Sequence, residues 1–207
     1  MTPVTPSESL PDAAPGSLIA RKQRLARQRI VEAADELFAL RGFDDVSVTD
    51  IAERAEVGRT TFFRYFGDKS EVVFAKEQAM FDTIARAGGD SRAGTAHDSR
   101  AAVEQLLPIV LDLCELAAAD RAAYQRRADL LERHVELRAR EALKNRQLGD
   151  QLSAILRDRG TPDEISVFAA QIALACYETA RRRARTPADL TRETRAAFAE
   201  ALSLGRG

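Results

Sequence analysis

The sequence predicts an all-α protein of about nine helices in two domains, and three observations lead there. Ala, Leu, Arg and Glu abound in its 207 residues while aromatics make up only 6 % and Trp is absent, a balance that favours helix over strand. Apolar residues recur at helical spacing, first at Ile30, Ala33, Ala34, Leu37 and Phe38, which share one buried face. Cap and stop signals punctuate these runs at Gly42, Ser47, Asp68 and Gly160-Thr161-Pro162. Length alone admits one large domain or a small one joined to a larger.

Residues 1–20 are expected to be a disordered tail, because four of the seven prolines fall there among Ser, Thr and Gly, with too little apolar surface to offset ordering. Arg21, Lys22, Arg24, Arg27 and Arg29 then follow without an acid between them, a stretch able to track a phosphate backbone or enter a minor groove. The first helix closes at Gly42, where a left-handed residue is needed, and Phe43 can fold back on its last turn. Ser47-Val48-Thr49-Asp50 has the form of a capping box and opens a short second helix buried through Ile51, Ala52 and Ala55. Val57-Gly58 interrupts it, and a third helix runs from Arg59 to Phe66. Asp68 with Glu71 caps a fourth, the expected connecting helix over 69–87, through Val72, Val73, Phe74 and Met80 to Ile84. Residues 88–99, rich in Gly, Ser, Ala and Asp, are expected to form a loose linker and the domain boundary.

The second domain, 100–207, begins with a helix carrying Val103, Leu106, Leu107, Val110, Leu111 and Leu113, which Pro108 should bend. Residues 121–158 read as one or two charge-laced helices with Leu130, Leu131, Leu137, Leu148, Leu152, Ile155 and Leu156 inward. Residues 163–180 are apolar nearly all round, so one face of a monomer cannot cover them and a partner is expected. The last helix follows Pro187, with a stripe of Leu190, Thr194, Ala197, Phe198 and Ala201.

Composition also removes function classes. A net charge of −1 excludes a wholly basic nucleic-acid coat, so any DNA contact must be local. Cys114 and Cys176 lie far apart without metal-ligand or redox spacing, the usage of a reducing cytoplasm. No run of 18 apolar residues and no charged-then-apolar leader is present, so a cytoplasmic protein without a membrane partner is expected. There is no phosphate loop and no metal-ligand cluster, and only His97 and His134 are available, so no catalytic residue, metal or cofactor is expected.

The informative stretch is 47–69. A helix seated in a major groove must present N-terminal side chains to base edges while apolar residues on its other face fix it to supporting helices. Phe62 and Phe66 can supply that inner face, leaving Arg59, Thr60 and Phe63 outward. Arg59 suits a bidentate contact to guanine and Thr60 a thymine methyl. The motif Ser47-Val48-Thr49-Asp50-Ile51-Ala52, then Val57-Gly58-Arg59-Thr60-Thr61-Phe62-Phe63-Arg64-Tyr65-Phe66, then Asp68-Lys69-Ser70-Glu71-Val72 resembles the DNA-binding domain of the tetracycline-repressor (TetR) family of bacterial regulators, over about residues 24–75.

That resemblance implies a helix-turn-helix DNA-binding domain over 21–68 and a helical domain beyond it for ligand binding and dimerisation. It implies phosphate contacts from Thr49, Thr61, Tyr65 and Lys69, with Ser47 and Arg64 completing the interface. Three departures stand out: Gly58 replaces a Ser/Thr cap, Glu56 replaces a common turn Gly and suggests a slightly different turn, and Phe63 replaces a common Tyr. The implied partners are a double-stranded operator, a second copy of the chain and a small-molecule effector, with no catalytic role. Ile165, Phe168, Ile172, Leu190, Phe198 and Ala201 are the candidate dimer contacts. Cys114, Tyr124, His134, Phe168, Gln171 and Cys176 are the candidate effector contacts. The cations between Arg127 and Lys144 suit either the phosphate-rich head of an acyl-coenzyme A or i, i+4 pairing with Asp129, Glu132, Glu136 and Glu141. An activator of the same fold, or a helical protein-interaction module, is the alternative to a repressor.

Overall fold

The computed structural model describes residues 15–75, 80, 83, 84 and 94–204. Nine α-helices and one 3-10 turn, with no strand, account for the regular structure among them. The chain divides into two compact units, Met1–Val72 and Val73–Gly207, so the division falls ahead of the 88–99 segment where composition shifts. The connecting helix expected over 69–87 lies largely outside the described residues.

In the first unit α1 covers Pro15–Arg41, α2 Val48–Arg54, α3 Arg59–Tyr65 and α4 Lys69–Val73. Helix α1 starts within the stretch expected as tail, because Pro15 suits a first helical turn and Leu18, Ile19 and Ala20 are helix formers that continue it. It ends at Gly42, whose φ of +82° is the left-handed geometry glycine adopts freely, and the Phe43 ring packs 5.1 Å from Phe38. The core joins Ile30, Ala34, Phe38 and Phe43 to Ile51, Ala52, Phe62 and Phe66, all buried. Removing their apolar surface from water is the main force holding three short helices that would be unstable alone. Arg54 on α2 reaches Glu36 on α1 at 2.6 Å.

In the second unit α5 covers Ser99–Ala118, α6 Arg121–Arg133, α7 Val135–Asp158, α8 Asp163–Arg183 and α9 Leu190–Ser203. Helix α5 passes through Pro108 without a break. The run 121–158 divides at His134, whose extended backbone (φ −118°, ψ 111°) ends α6 and starts α7, so two helices form. Arg138 on α7 then donates to the carbonyls of Leu131 and Glu132, satisfying acceptors that the end of α6 leaves open. Helix α8 packs against α5, α7 and α9. Gly149 on α7 permits the approach to α8, since a Cβ there would meet the Gln171 amide at 3.3 Å.

The described part of the expected linker is pinned rather than loose. Thr95 donates to the Arg159 carbonyl at 2.8 Å, the Ala96 N–H donates to the Thr161 hydroxyl at 3.2 Å, and Gln105 donates to the Gly94 carbonyl at 2.8 Å. Those partners lie more than sixty residues on for Thr95 and Ala96, and composition carries no trace of them. Asp98 then caps α5 through the Ala101 N–H.

Candidate nucleic-acid interface and effector cavity

The capping box at α2 forms as its sequence demands. Ser47 Oγ accepts from the Asp50 N–H at 3.1 Å, and Asp50 accepts from the Ser47 N–H at 2.8 Å and from the Ser47 hydroxyl. Arg41 adds an ion pair to Asp50 at 2.9 Å. The Ser47 hydroxyl, backed by Arg41, holds the Asp50 carboxyl well below the usual carboxylate range. Turn and third helix follow. Glu56 has φ +54°, the one non-glycine residue among the described residues with positive φ. The left-handed turn is therefore kept, and the different turn expected from Glu56 is not seen: the glutamate takes up a conformation glycine would adopt without strain. Gly58 occupies the N-cap of α3 without a side-chain hydrogen bond, so this helix start lacks the cap that α2 possesses.

Helix α3 turns Phe62 (0 % exposed) and Phe66 inward and leaves Phe63 49 % exposed, its ring edge-on to Phe62 at 5.6 Å. Arg59, Thr60 and Arg64 are exposed, as are Ser47 and Thr49 at the start of α2; Thr61 and Tyr65 are half-buried. One solvent face of the first unit thus brings together two arginines, hydroxyls and an aromatic ring. Arg27, from the basic stretch of α1, lies over the Phe66 ring at 5.2 Å, so part of that stretch also packs.

Lys69 departs from its expected phosphate contact. Its Nζ donates to the carbonyls of Phe43 at 2.7 Å, Val46 at 2.9 Å and Asp44 at 3.2 Å, and lies 4.5 Å from the centre of the Phe43 ring. An ammonium has three N–H donors and all three are used here, so Lys69 straps α4 to the turn between α1 and α2. Sequence spacing places a cation beside the motif but cannot say whether water, phosphate or a carbonyl will face it.

In the second unit a cavity of about 320 Å³, partly open to solvent, is lined by Met80, Arg127, Lys144, Asn145, Leu148, Tyr177 and Arg181. Glu141 joins two of its cations, accepting from Arg181 at 2.7 Å and Arg127 at 3.3 Å, so the pairing of this charged segment crosses three helices instead of running i, i+4. Asn145 donates to Glu178 at 3.0 Å. Arg127 and Lys144 lie over the Phe74 ring at 4.9 and 5.6 Å. Burial pushes the Tyr177 hydroxyl up to about 12 despite Arg181 and Arg127 nearby, which keeps it a hydrogen-bond donor near neutral pH.

None of the six nominated effector residues lines this cavity. Cys114 is buried with its sulfur 3.2 Å from the Thr194 hydroxyl, and burial pushes its thiol up to about 11; Cys176 is buried and also raised. Both are inert core thiols. Tyr124 is packed against the core, His134 sits at the junction of α6 and α7 facing Glu136 at 3.7 Å, and Gln171 is exposed with Phe168 on the outer face of α8. Tyr177, Arg181 and Asn145 were missed because a cavity is made by residues from different helices, and no spacing within one helix signals it.

The dimer candidates divide in the same way. Leu190 and Phe198 are 0 % exposed in the core of their own chain, so neither is available to a partner. Ile165, Ile172 and Ala201 are half-buried against that core, whereas Phe168 is 55 % and its neighbour Val167 43 % exposed. An apolar stripe has the same period whether its own subunit or another covers it.

Three helices that bury a common core and present the third helix outward define a helix-turn-helix DNA-binding protein, here joined to a separate helical unit. Residues 30–75 match the family of bacterial regulatory proteins of the tetR type. The transcriptional regulator TcmR of Streptomyces glaucescens is 29 % identical over 86 % of this chain and 79 % of its own length. FadR of Thermus thermophilus, a TetR-family repressor solved with lauroyl-CoA, is 28 % identical, with a TM-score of 0.55 over 86 % of this chain and 93 % of its own. SmeT of Stenotrophomonas maltophilia, 21 % identical, shares the fold with a TM-score of 0.54 over 86 % of this chain and 88 % of its own. The chain belongs to the TetR family of transcriptional regulators, and its second unit is the family's ligand-responsive helical domain. These relatives are regulators of transcription, not enzymes. No helix of the described residues is long and apolar enough to cross a membrane.

Proposed function

We propose that the chain is a homodimeric transcriptional repressor that binds a pseudo-palindromic operator and leaves it when a small amphipathic molecule enters the second unit. The observation that carries the DNA half is the outer face of α3, where Arg59, Thr60, Phe63 and Arg64 stand exposed while Phe62 and Phe66 anchor the helix. Arg59 reads a guanine edge, Thr60 and Phe63 make apolar contact, and Ser47, Thr49, Thr61, Arg64 and Tyr65 bind backbone. Two-fold symmetry through the outer face of α8, around Val167 and Phe168, sets two recognition helices about 34–36 Å apart, or a multiple of that. An inducer that swings the population from one state to the other must prefer the released state by about 10⁴-fold.

A gel shift of the chain against its own upstream region tests this. Arg59→Ala is expected to lose discrimination worth about 1–3 kcal/mol against the wrong base at one operator position per half-site while non-specific binding stays. Operator binding equal to wild type would remove α3 as the reading element. A second reading of the ligand, an acyl-coenzyme A thioester, is favoured by the lauroyl-CoA complex of the 28 % identical FadR and by the cations of α6 and α7.

A further inference from the structure

The cavity of the second unit combines features that seldom coincide without a ligand. Arg127 on α6, Lys144 on α7 and Arg181 on α8 converge on it from three helices, and Met80 and Leu148 give it apolar wall. Tyr177 is 4 % exposed, and among the described residues its hydroxyl makes no hydrogen bond, although it lines the cavity. A buried hydroxyl left without a partner costs stability, so a site that keeps one is shaped for something that accepts from it. The resident acid, Glu141, shows what that group is. It already sits between the guanidinium groups of Arg127 and Arg181 at 3.3 and 2.7 Å, so the fork geometry around it suits a planar carboxylate.

We propose that this cavity binds the carboxylate of a small amphipathic organic acid, with Arg181, Arg127 and Lys144 supplying charge, the Tyr177 hydroxyl donating a hydrogen bond, and Met80 and Leu148 holding the apolar body. The inference rests on the ligand-responsive reading above and names the chemical class of its effector. Size argues the same way: about 320 Å³ is near the lower end of small-molecule sites, which span roughly 300–1,000 Å³, and it suits a short acid better than a whole coenzyme A thioester. Charge in a partly desolvated site selects strongly, because a neutral analogue of the same shape leaves the cations unanswered.

The test is calorimetric titration of the full chain, without DNA, with octanoate, decanoate and benzoate against octanol, decanol, benzyl alcohol and decanoyl-coenzyme A. At least one carboxylate is expected to bind at least tenfold more tightly than its alcohol and to raise the melting temperature. Tyr177→Phe, which keeps the ring, is expected to weaken that binding about tenfold, the worth of one hydrogen bond to a charged group. Lys144→Met, at a half-buried position, is expected to weaken it at least as much while the chain still melts cooperatively. Carboxylates that bind no better than their alcohols, or binding by the thioester alone, overturn the proposal. So does wild-type affinity in both variants. Release of the operator is scored separately by gel shift: an acid that binds but does not release DNA sinks the repressor mechanism and leaves the carboxylate site standing.

Discussion

Glu56 and Lys69 show how single residues of the motif act through backbone rather than through bases. Glu56 holds φ +54° on an exposed turn, a conformation that costs a residue with a Cβ roughly 1–2 kcal/mol, against roughly 0.5–1 kcal/mol of extra chain entropy for glycine. Glu56→Gly is therefore expected to stabilise the first unit by about 0.5–1 kcal/mol, read as a higher urea midpoint with unchanged slope. A lower midpoint would mean that the glutamate side chain contributes more than its backbone costs. Lys69 makes three carbonyl bonds, and Lys69→Met is expected to destabilise the unit by about 1–3 kcal/mol, because three acceptors lose a charged donor. The slope of operator affinity against salt should not change in that variant. A slope reduced by about one would return Lys69 to the phosphate backbone. Both residues were visible in the sequence as departures or members of a motif, yet left-handed φ and three converging carbonyls are properties of a folded turn.

Helix ends and helix faces were legible to different degrees. The Ser47–Asp50 box was readable because its partners lie three residues apart and the geometry of one turn brings them together. The same holds for Asp68, which accepts the Glu71 N–H at 2.9 Å, and for Gly42. Asp50 links this element to pH. Its carboxyl is depressed in the folded state by the Ser47 hydroxyl and Arg41, so it takes up protons more readily when unfolded. The contribution is complete above the unfolded value of about 3.9 and is lost as pH falls through the lower folded value. Asp50→Asn is expected to melt earlier than wild type at pH 7, and the gap should narrow steadily in acid below about pH 4. A constant gap down to pH 2 would show that the carboxylate charge adds nothing to the cap. Faces were harder to read. Leu190 and Phe198 stand on a stripe whose period is correct, but the stripe faces α5 and α8 of its own chain.

Symmetric assembly is the property of the whole molecule on which operator reading depends. If the outer face of α8 joins two copies, Phe168→Asp is expected to weaken the dimer at least about 30-fold, measured by sedimentation, and to weaken operator binding with it while the monomer keeps its helical content. Phe198→Ala, aimed at a residue enclosed in its own chain, should instead cost about 3–5 kcal/mol of stability. A Phe168→Asp protein that remains dimeric would move the interface elsewhere. What the sequence by itself determined was everything carried by neighbours within a turn or two: the all-helical class, the caps, the turn before α3 and the division of its aromatic residues between core and solvent. Only the tertiary structure decided which apolar stripes their own subunit covers, that Lys69 is a strap, and that Arg127, Lys144, Tyr177 and Arg181 enclose one cavity. The reason is range, for a helix repeats every 3.6 residues whatever lies beside it, whereas a cavity exists only once α6, α7 and α8 have met.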